Sequence, residues 1–198
     1  MAEAEVKTRG RPRGFDEETA LDELMDLFWT KGYTRTSVAD MVEVSGVHKP
    51  SLYRIFGSKE ELFATILRRY HALRLQMLAQ LAGSVEAGAR GLHQFLDLLA
   101  DDIISGSSGR GCLLVLSSLE LGGTTPGFEN FGPRYRSELR AIMSGLVTGA
   151  GGDAQVAETR TDVLVTWLLG LDVIIRGAGS EAEIRAAVDA MRAEIDSW

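Results

Sequence analysis

The sequence predicts an all-α protein of about nine helices, and three observations carry that prediction. Apolar residues recur at three- and four-residue intervals along most of the chain, the spacing of one helix face. Three boxes of the Ser-x-x-Asp/Glu type, Ser37 with Asp40, Ser58 with Glu61 and Ser180 with Glu183, stand where such patterns begin. No run alternates apolar and polar residues as a half-buried strand does.

The first helix is expected over residues 16–31, where Leu21, Leu24, Met25, Leu27 and Phe28 make the apolar face; Asp16 can cap it and Gly32 can end it. Ser37 and Asp40 open a short second helix with Val38, Met41 and Val42 inward. Gly46 permits a sharp turn after it. Pro50 suits the first turn of a third helix, where its missing N–H costs nothing. Leu52, Ile55 and Phe56 give that helix an inner side, and Gly57 closes it. From Ser58 and Glu61 a long fourth helix runs over about 59–81. Five more helical patterns follow at 92–104, 113–121, 135–147, 156–176 and 181–195, separated by breakers such as SGSSGRG and GGTTPG.

With 198 residues, 45% of them hydrophobic, the chain has room for one ordinary core and a small appended module. Cys112 is the single cysteine, which excludes an internal disulfide, and the start MAEAEVKTRGRPRG is charged where a secretory signal is apolar. The longest apolar run, 163–175, is broken by Asp172 and falls short of the roughly 18 residues of a membrane span. A cytoplasmic protein with no membrane association is expected. Its formal net charge of −7 hides a segregation: the bases of 7–13 and of 48–59 lie in stretches that contain no acid. A local basic surface on an acidic body is compatible with binding a polyanion at one face.

Catalytic and metal patterns fail. Gly106 and Gly111 have the spacing of a phosphate loop, but Cys112 and Leu113 stand where Lys and Ser/Thr belong. His48, His71 and His93 are too dispersed for a metal motif, and there is no G-x-S-x-G nucleophile turn. The reading is a non-enzyme with no catalytic residue, metal or cofactor.

Three short helices, the last two joined through Ser45, Gly46 and Val47, have the dimensions of a helix-turn-helix unit, whose final helix enters the DNA major groove. With Leu52, Ile55 and Phe56 inward, His48, Lys49, Ser51, Tyr53 and Arg54 are left outward. Lys49 can donate to guanine or phosphate, Pro50 and Ser51 can lie against a thymine methyl or the backbone, and the Tyr53 hydroxyl can reach a phosphate. Lys59 starts the next helix, where free N–H groups already favour an anion; Thr36 and Ser37 hold the equivalent place on the second helix. Upstream, Arg9, Arg11 and Arg13 surround Pro12. Such an arm either follows a narrow minor groove or is a solubilising tail.

The stretch GYTRTSVADMVEVSGVHKPSLYRIFGSKEEL resembles the N-terminal signature of the TetR family of transcriptional regulators, with the likeness covering about residues 15–67. Val42 stands where that family usually has a small alanine, and Pro50 replaces a frequent glycine. The resemblance implies an all-helical homodimer whose third helix reads an operator while the C-terminal helices bind an effector. It implies a transcriptional regulator, usually a repressor, with double-stranded operator DNA and an unidentified small molecule as partners. The corresponding division is a basic arm at 1–14, a DNA-binding unit at 15–58 and an effector-binding and dimerisation body at 59–198.

In the body, GRGCLLVLSSLEL looks like a segment of one group of these regulators. Cys112 there is either a small buried hydrophobe or a thiol sensor whose pKa is lowered by Arg110 and a helix N-terminus. Control through that thiol or through a protein partner is the alternative to a small ligand. An effector pocket in this fold is expected among the fourth to eighth helices, with Tyr70, His71, Arg74, Phe131, Tyr135 and Trp167 as lining candidates or plain core residues. The last two helices carry stripes that include Leu168, Leu171 and Ile175, then Ile184, Val188, Met191 and Ile195, which fit a four-helix dimer interface. Two recognition helices would then meet half-sites about 34–36 Å apart on a roughly palindromic operator.

Overall fold

Asp16 accepts the Glu18 N–H and starts α1 (Glu17–Lys31), which ends where the Gly32 N–H bonds back to the Phe28 carbonyl. In the computed structural model, which describes residues 16–106, 110–122, 128, 130–177 and 179–198, eight further helices follow: α2 (Val38–Ser45), α3 (Lys49–Phe56), α4 (Lys59–Gly83), α5 (Ala89–Gly106), α6 (Leu113–Leu121), α7 (Phe131–Val147), α8 (Ala154–Arg176) and α9 (Glu181–Asp196). All three Ser boxes form in full: each Ser accepts an N–H from the third helical residue, and that residue's carboxylate accepts the Ser N–H in return. No strand occurs among the described residues, and no helix among them is long and apolar enough to cross a membrane.

Apolar spacing set the register well and the ends less well. α7 begins at Phe131 rather than 135, because Gly132, Pro133 and Arg134 form a solvent-facing first turn that an apolar pattern does not register. A proline in a first turn forfeits no helix hydrogen bond.

α1, α2 and α3 pack around Leu24, Met41 and Leu52, all with no exposed surface. Burial of each such side chain contributes about 1.5–3 kcal/mol relative to exposure. α4 belongs to both halves of the molecule. Its first turns present Leu62, Phe63 and Ile66 to the small unit, with Phe63 4.8 Å from Phe28 between ring centres, and its later turns carry Tyr70, His71 and Leu78 into the body. There α7 packs on α4 and α8, and α9 lies against α5 and α8.

The α8 and α9 stripes expected to meet a partner turn inward instead. Leu168, Leu171, Ile175, Ile184, Val188, Met191 and Ile195 are only 1–6% exposed in the single chain. Their stripes are consumed by packing of α8 on α6, α7 and α9 and of α9 on α5, so they are this chain's own core and not a face offered to a partner. A different stripe of α8 stays open. It carries Val156, Val163, Val173 and Ile174, each between 36% and 49% exposed.

Candidate nucleic-acid interface and the adjoining cavity

The turn between α2 and α3 is built from its sequence outward. Gly46 takes the left-handed conformation (φ 63°), which a residue without Cβ adopts without strain. The Ser45 hydroxyl donates to the Met41 carbonyl at 2.6 Å and accepts the Val47 N–H, and Val47 is buried. The chain therefore leaves α2 at a fixed angle. His48 is the N-cap of α3 but makes no side-chain cap bond, and Pro50 lies in the first turn.

Leu52 and Phe56 turn inward and Ile55 is half-buried; His48, Lys49, Pro50, Tyr53 and Arg54 are exposed, and Ser51 is half-buried at the edge of that face. The Lys49 ammonium lies 5.9 Å from the centre of the Tyr53 ring, so a cation and a phenol hydroxyl share one outward patch of α3. α3 itself carries no acid.

At the flanks the structure revises the expected donors. Thr36 is 2% exposed and gives its hydroxyl to the Gly32 carbonyl at 2.6 Å, so it braces the α1–α2 turn and does not face outward. Being placed just before a helix start made it resemble a phosphate donor, but its side chain completes the end of α1. Ser37 is exposed, yet its hydroxyl is engaged with Asp40 in the capping box. A hydrogen bond from Lys31, at 2.5 Å, and those from Ser37 hold the Asp40 carboxyl well below the usual range. Lys59 keeps its ammonium 4.3 Å from the Tyr33 ring centre, and partial burial there lowers its pKa. Arg11 and Arg13 lie outside the described residues.

Above this unit, a cavity of about 160 Å³ opens between α1, α4, α5, α8 and the start of α6. Tyr70 and Arg74 line it as expected. Tyr135 stands behind them, its hydroxyl beside Arg74 without hydrogen-bond geometry, and Cys112 meets the Tyr70 hydroxyl. Three other expected lining residues have separate duties. His71 lies 2.6 Å from Glu138, Phe131 packs on Phe128, and Trp167 donates its indole N–H to the Ala187 carbonyl at 3.0 Å, tying α8 to α9.

Cys112 resolves in favour of the buried reading. It is 1% exposed, and burial first, then the neighbouring Asp172, pushes its thiol up from the ordinary value. Arg110 does not offset this: its guanidinium bonds Asp26 at 2.7 Å and lies 4.1 Å from the Trp29 ring centre.

Sequence reading missed Trp29 and Asp172 as wall residues. Asp172 had a signal, since a lone acid on the inner stripe of an apolar run must find a partner or a purpose. It is 2% exposed and 3.7 Å from Arg74.

α6, the segment before it and α8 hold the three-helix unit from above. The Trp29 indole donates to the Gly111 carbonyl at 2.8 Å, Arg176 reaches the Trp29 and Thr30 carbonyls, and Glu120 accepts the N–H groups of Tyr33 and Thr34 at 2.9 and 2.7 Å. Gly111 is required where it sits: at φ 64° its position is left-handed, and a Cβ there would stand 2.5 Å from the Asp172 carbonyl oxygen.

Residues 20–66 match the family model described as bacterial regulatory proteins, tetR family. The HTH-type transcriptional repressor ComR of Escherichia coli (strain K12) is 38% identical over 110 residues, 55% of this chain and 52% of that protein. BdcR, an HTH-type transcriptional repressor of the same organism, is 39% identical over 35% of this chain and 36% of its own length. These matches thus span about half or less of either curated relative. Among solved structures, a cysteine mutant of the TetR family transcriptional regulator CifR complexed with 26bp double-strand operator DNA superposes with a TM-score of 0.75 at 28% identity, over 92% of this chain and 98% of that one.

Proposed function

We propose that this chain, which belongs to the TetR family of bacterial regulatory proteins, is a transcriptional regulator that binds double-stranded operator DNA through α3 as a homodimer and is released by a small molecule. One observation carries the DNA reading above the others: α3 turns Lys49, Tyr53 and Arg54 outward on a helix without acids, fixed at both ends by Gly46 and Gly57 and from beneath by Leu52. Repression is favoured by the likeness to ComR and BdcR, both transcriptional repressors. The proposed functional division is an arm at 1–14, a DNA-binding unit at 15–58 and a body at 59–198, a reading supported by the packing of α1, α2 and α3 around Leu24, Met41 and Leu52.

The homodimer is supported by the open stripe of α8. Its valines and Ile174 are exposed beside α9, whose outward side carries Ala182, Ala186 and Ala193, short side chains that admit close approach of a second helix pair. A self-complementary patch of this kind closes on a twofold axis.

Selection of bound duplexes from a random pool, followed by a salt titration on the selected site, tests the reading. If about eight phosphates are neutralised per dimer, log affinity falls against log salt with a slope near −7. Tyr53→Ala weakens all duplexes roughly alike, whereas Lys49→Ala relaxes base preference. A slope near zero, or no selected consensus, overturns the assignment.

A further inference from the structure

Trp29 of α1 forms one wall of the 160 Å³ cavity; Tyr70 and Arg74 of α4, Ile103 of α5, and Asp172 and Ile175 of α8 form others. The lining is mainly apolar; besides the exposed Asp102 and Arg110, which pairs with Asp26, its charged groups are gathered on one buried side. There Arg74 Nη2 and Asp172 Oδ1 stand 3.7 Å apart, beyond hydrogen-bond range. Arg74 Nε and Asp172 Oδ2 are buried and have no hydrogen-bond partner among the described residues. Buried polar atoms are nearly always paired, so an unspent donor and an unspent acceptor on facing residues state what a guest must offer.

Charge narrows the guest further. Burial pushes Asp172 up to about 6, against the opposing pull of Arg74 and the Cys112 N–H, so the carboxylate is mostly ionised at neutral pH and the pair has no net charge. An anion would face Asp172 at close range, a cation would face Arg74, and a hydrocarbon would meet neither need. A cavity of about 150 Å³ accommodates a single benzene-sized ring.

We propose that this cavity binds a small uncharged one-ring alcohol of the phenol type, whose hydroxyl donates to Asp172 and accepts from Arg74 while its ring lies against Trp29 and Ile175. One oxygen meets both unspent groups, which is why a hydroxyl fits where an ion does not.

Occupancy reaches the DNA-facing unit without an intermediary. Trp29 is itself part of α1, is bonded to the Gly111 carbonyl and is covered by Arg110, and α1 packs on α2. A ring inserted beside the indole presses on that helix and on the start of α6. This regulatory step rests on the DNA-binding reading above; the binding step does not.

The test uses the full chain labelled with 5-fluorotryptophan and followed by ¹⁹F NMR, with Trp29→Phe assigning the Trp29 resonance among the three tryptophans. Phenol is expected to shift that resonance saturably and to leave those of Trp167 and Trp198 in place. Benzoate, benzylamine and toluene are expected to bind at least about tenfold more weakly, because each leaves a buried group unmet. Ile175→Phe, which fills the cavity, removes the response while circular dichroism confirms the fold. Asp172→Asn makes the polar side cationic and shifts preference from phenol towards benzoate, a reversal that a merely structural Asp172 does not produce. Toluene binding as tightly as phenol, benzoate binding more tightly in the parent, or a Trp29 resonance indifferent to phenol overturns the proposal. Operator binding measured without phenol separates the two readings. A protein that binds DNA and ignores phenol loses only this inference, and one that binds phenol and no DNA loses only the regulator assignment.

Discussion

Asp172→Asn should flatten a pH dependence of stability between pH 7 and 5. An unfolded Asp titrates near 3.9, whereas burial between α8, α4 and the start of α6 lifts Asp172 to about 6. Each tenfold difference in proton affinity corresponds to about 1.4 kcal/mol, so the whole gap amounts to about 3 kcal/mol. Its sign follows from which state holds the proton more tightly. The folded chain does, so acidification stabilises it: the contribution is complete below about pH 4 and is lost as pH rises through 6. Going from pH 7 to 5 recovers about 1 kcal/mol, or about 3 °C in Tm for a chain of this length. The groups facing Asp172 are Arg74 and Tyr70 from α4, Cys112 at the N-cap of α6 and Tyr135 from α7; their pKa values are all raised, and they keep one protonation state across this window. Calorimetry of parent and variant at pH 5, 6 and 7 and fixed ionic strength gives the difference curve, in which the histidines and surface carboxylates cancel. The absolute Tm of the variant reflects Arg74 losing its partner and does not enter. Parallel curves, or a parent that loses stability relative to the variant on acidification, would refute the reasoning.

Glu120→Ala removes two charge-assisted hydrogen bonds between α6 and the α1–α2 turn. Because the carboxylate is exposed, the pair is discounted to about 1–2 kcal/mol, which lowers Tm by about 3–6 °C and bounds any change in operator affinity at about 30-fold. An unchanged Tm with unchanged affinity means that α6 does not hold the three-helix unit. Leu52→Ala leaves a hole beneath α3 where no surface is exposed, and urea unfolding should show a loss of about 2–5 kcal/mol. A loss under about 1 kcal/mol would show that α3 rests on something else.

What was legible in the sequence was whatever depends on neighbours along the chain. The capping boxes at Ser37, Ser58 and Ser180, the glycines that end α1 and α3, and the outward set on α3 follow from spacing within one or two turns, and the structure has them in place. What was not legible depends on where a face points once helices have met. Leu168 and Ile184 belong to apolar stripes whether the covering surface comes from this chain or another, and only the packing of α8 and α9 on the body decides that it is this one. Thr36 illustrates the same limit at a smaller scale: its distance from the helix start is local, but the acceptor that turns it inward, the Gly32 carbonyl, is fixed by how α1 ends. The cavity was half visible. Tyr70 and Arg74 announce themselves one turn apart on α4, whereas Trp29 comes from 41 positions earlier and Asp172 from a helix near the other end of the chain.

The Arg74–Asp172 pair makes little sense as a stabilising device. Replacing a buried ion pair with apolar residues of like size is often neutral or favourable by about 1–4 kcal/mol, and here the contact is too long to recover the cost of dehydrating two charges through a hydrogen bond. The surroundings complete it only in part: the Cys112 N–H serves Asp172, but Tyr70 is turned to Cys112 and the Tyr135 hydroxyl bonds neither charge in proper geometry. A pair that weakens the core is tolerable where its incompleteness is used, and its position identifies the use. It lies across a ring-sized cavity from Trp29, a residue of the helix on which α2 is mounted, and the same indole is pinned to the start of α6. Coupling free energies between distant sites are typically about 1–3 kcal/mol, comparable to completing two buried hydrogen bonds. A guest that satisfies Arg74 and Asp172 together therefore has enough energy to displace α1, provided that the displaced arrangement admits it and the one described here resists it.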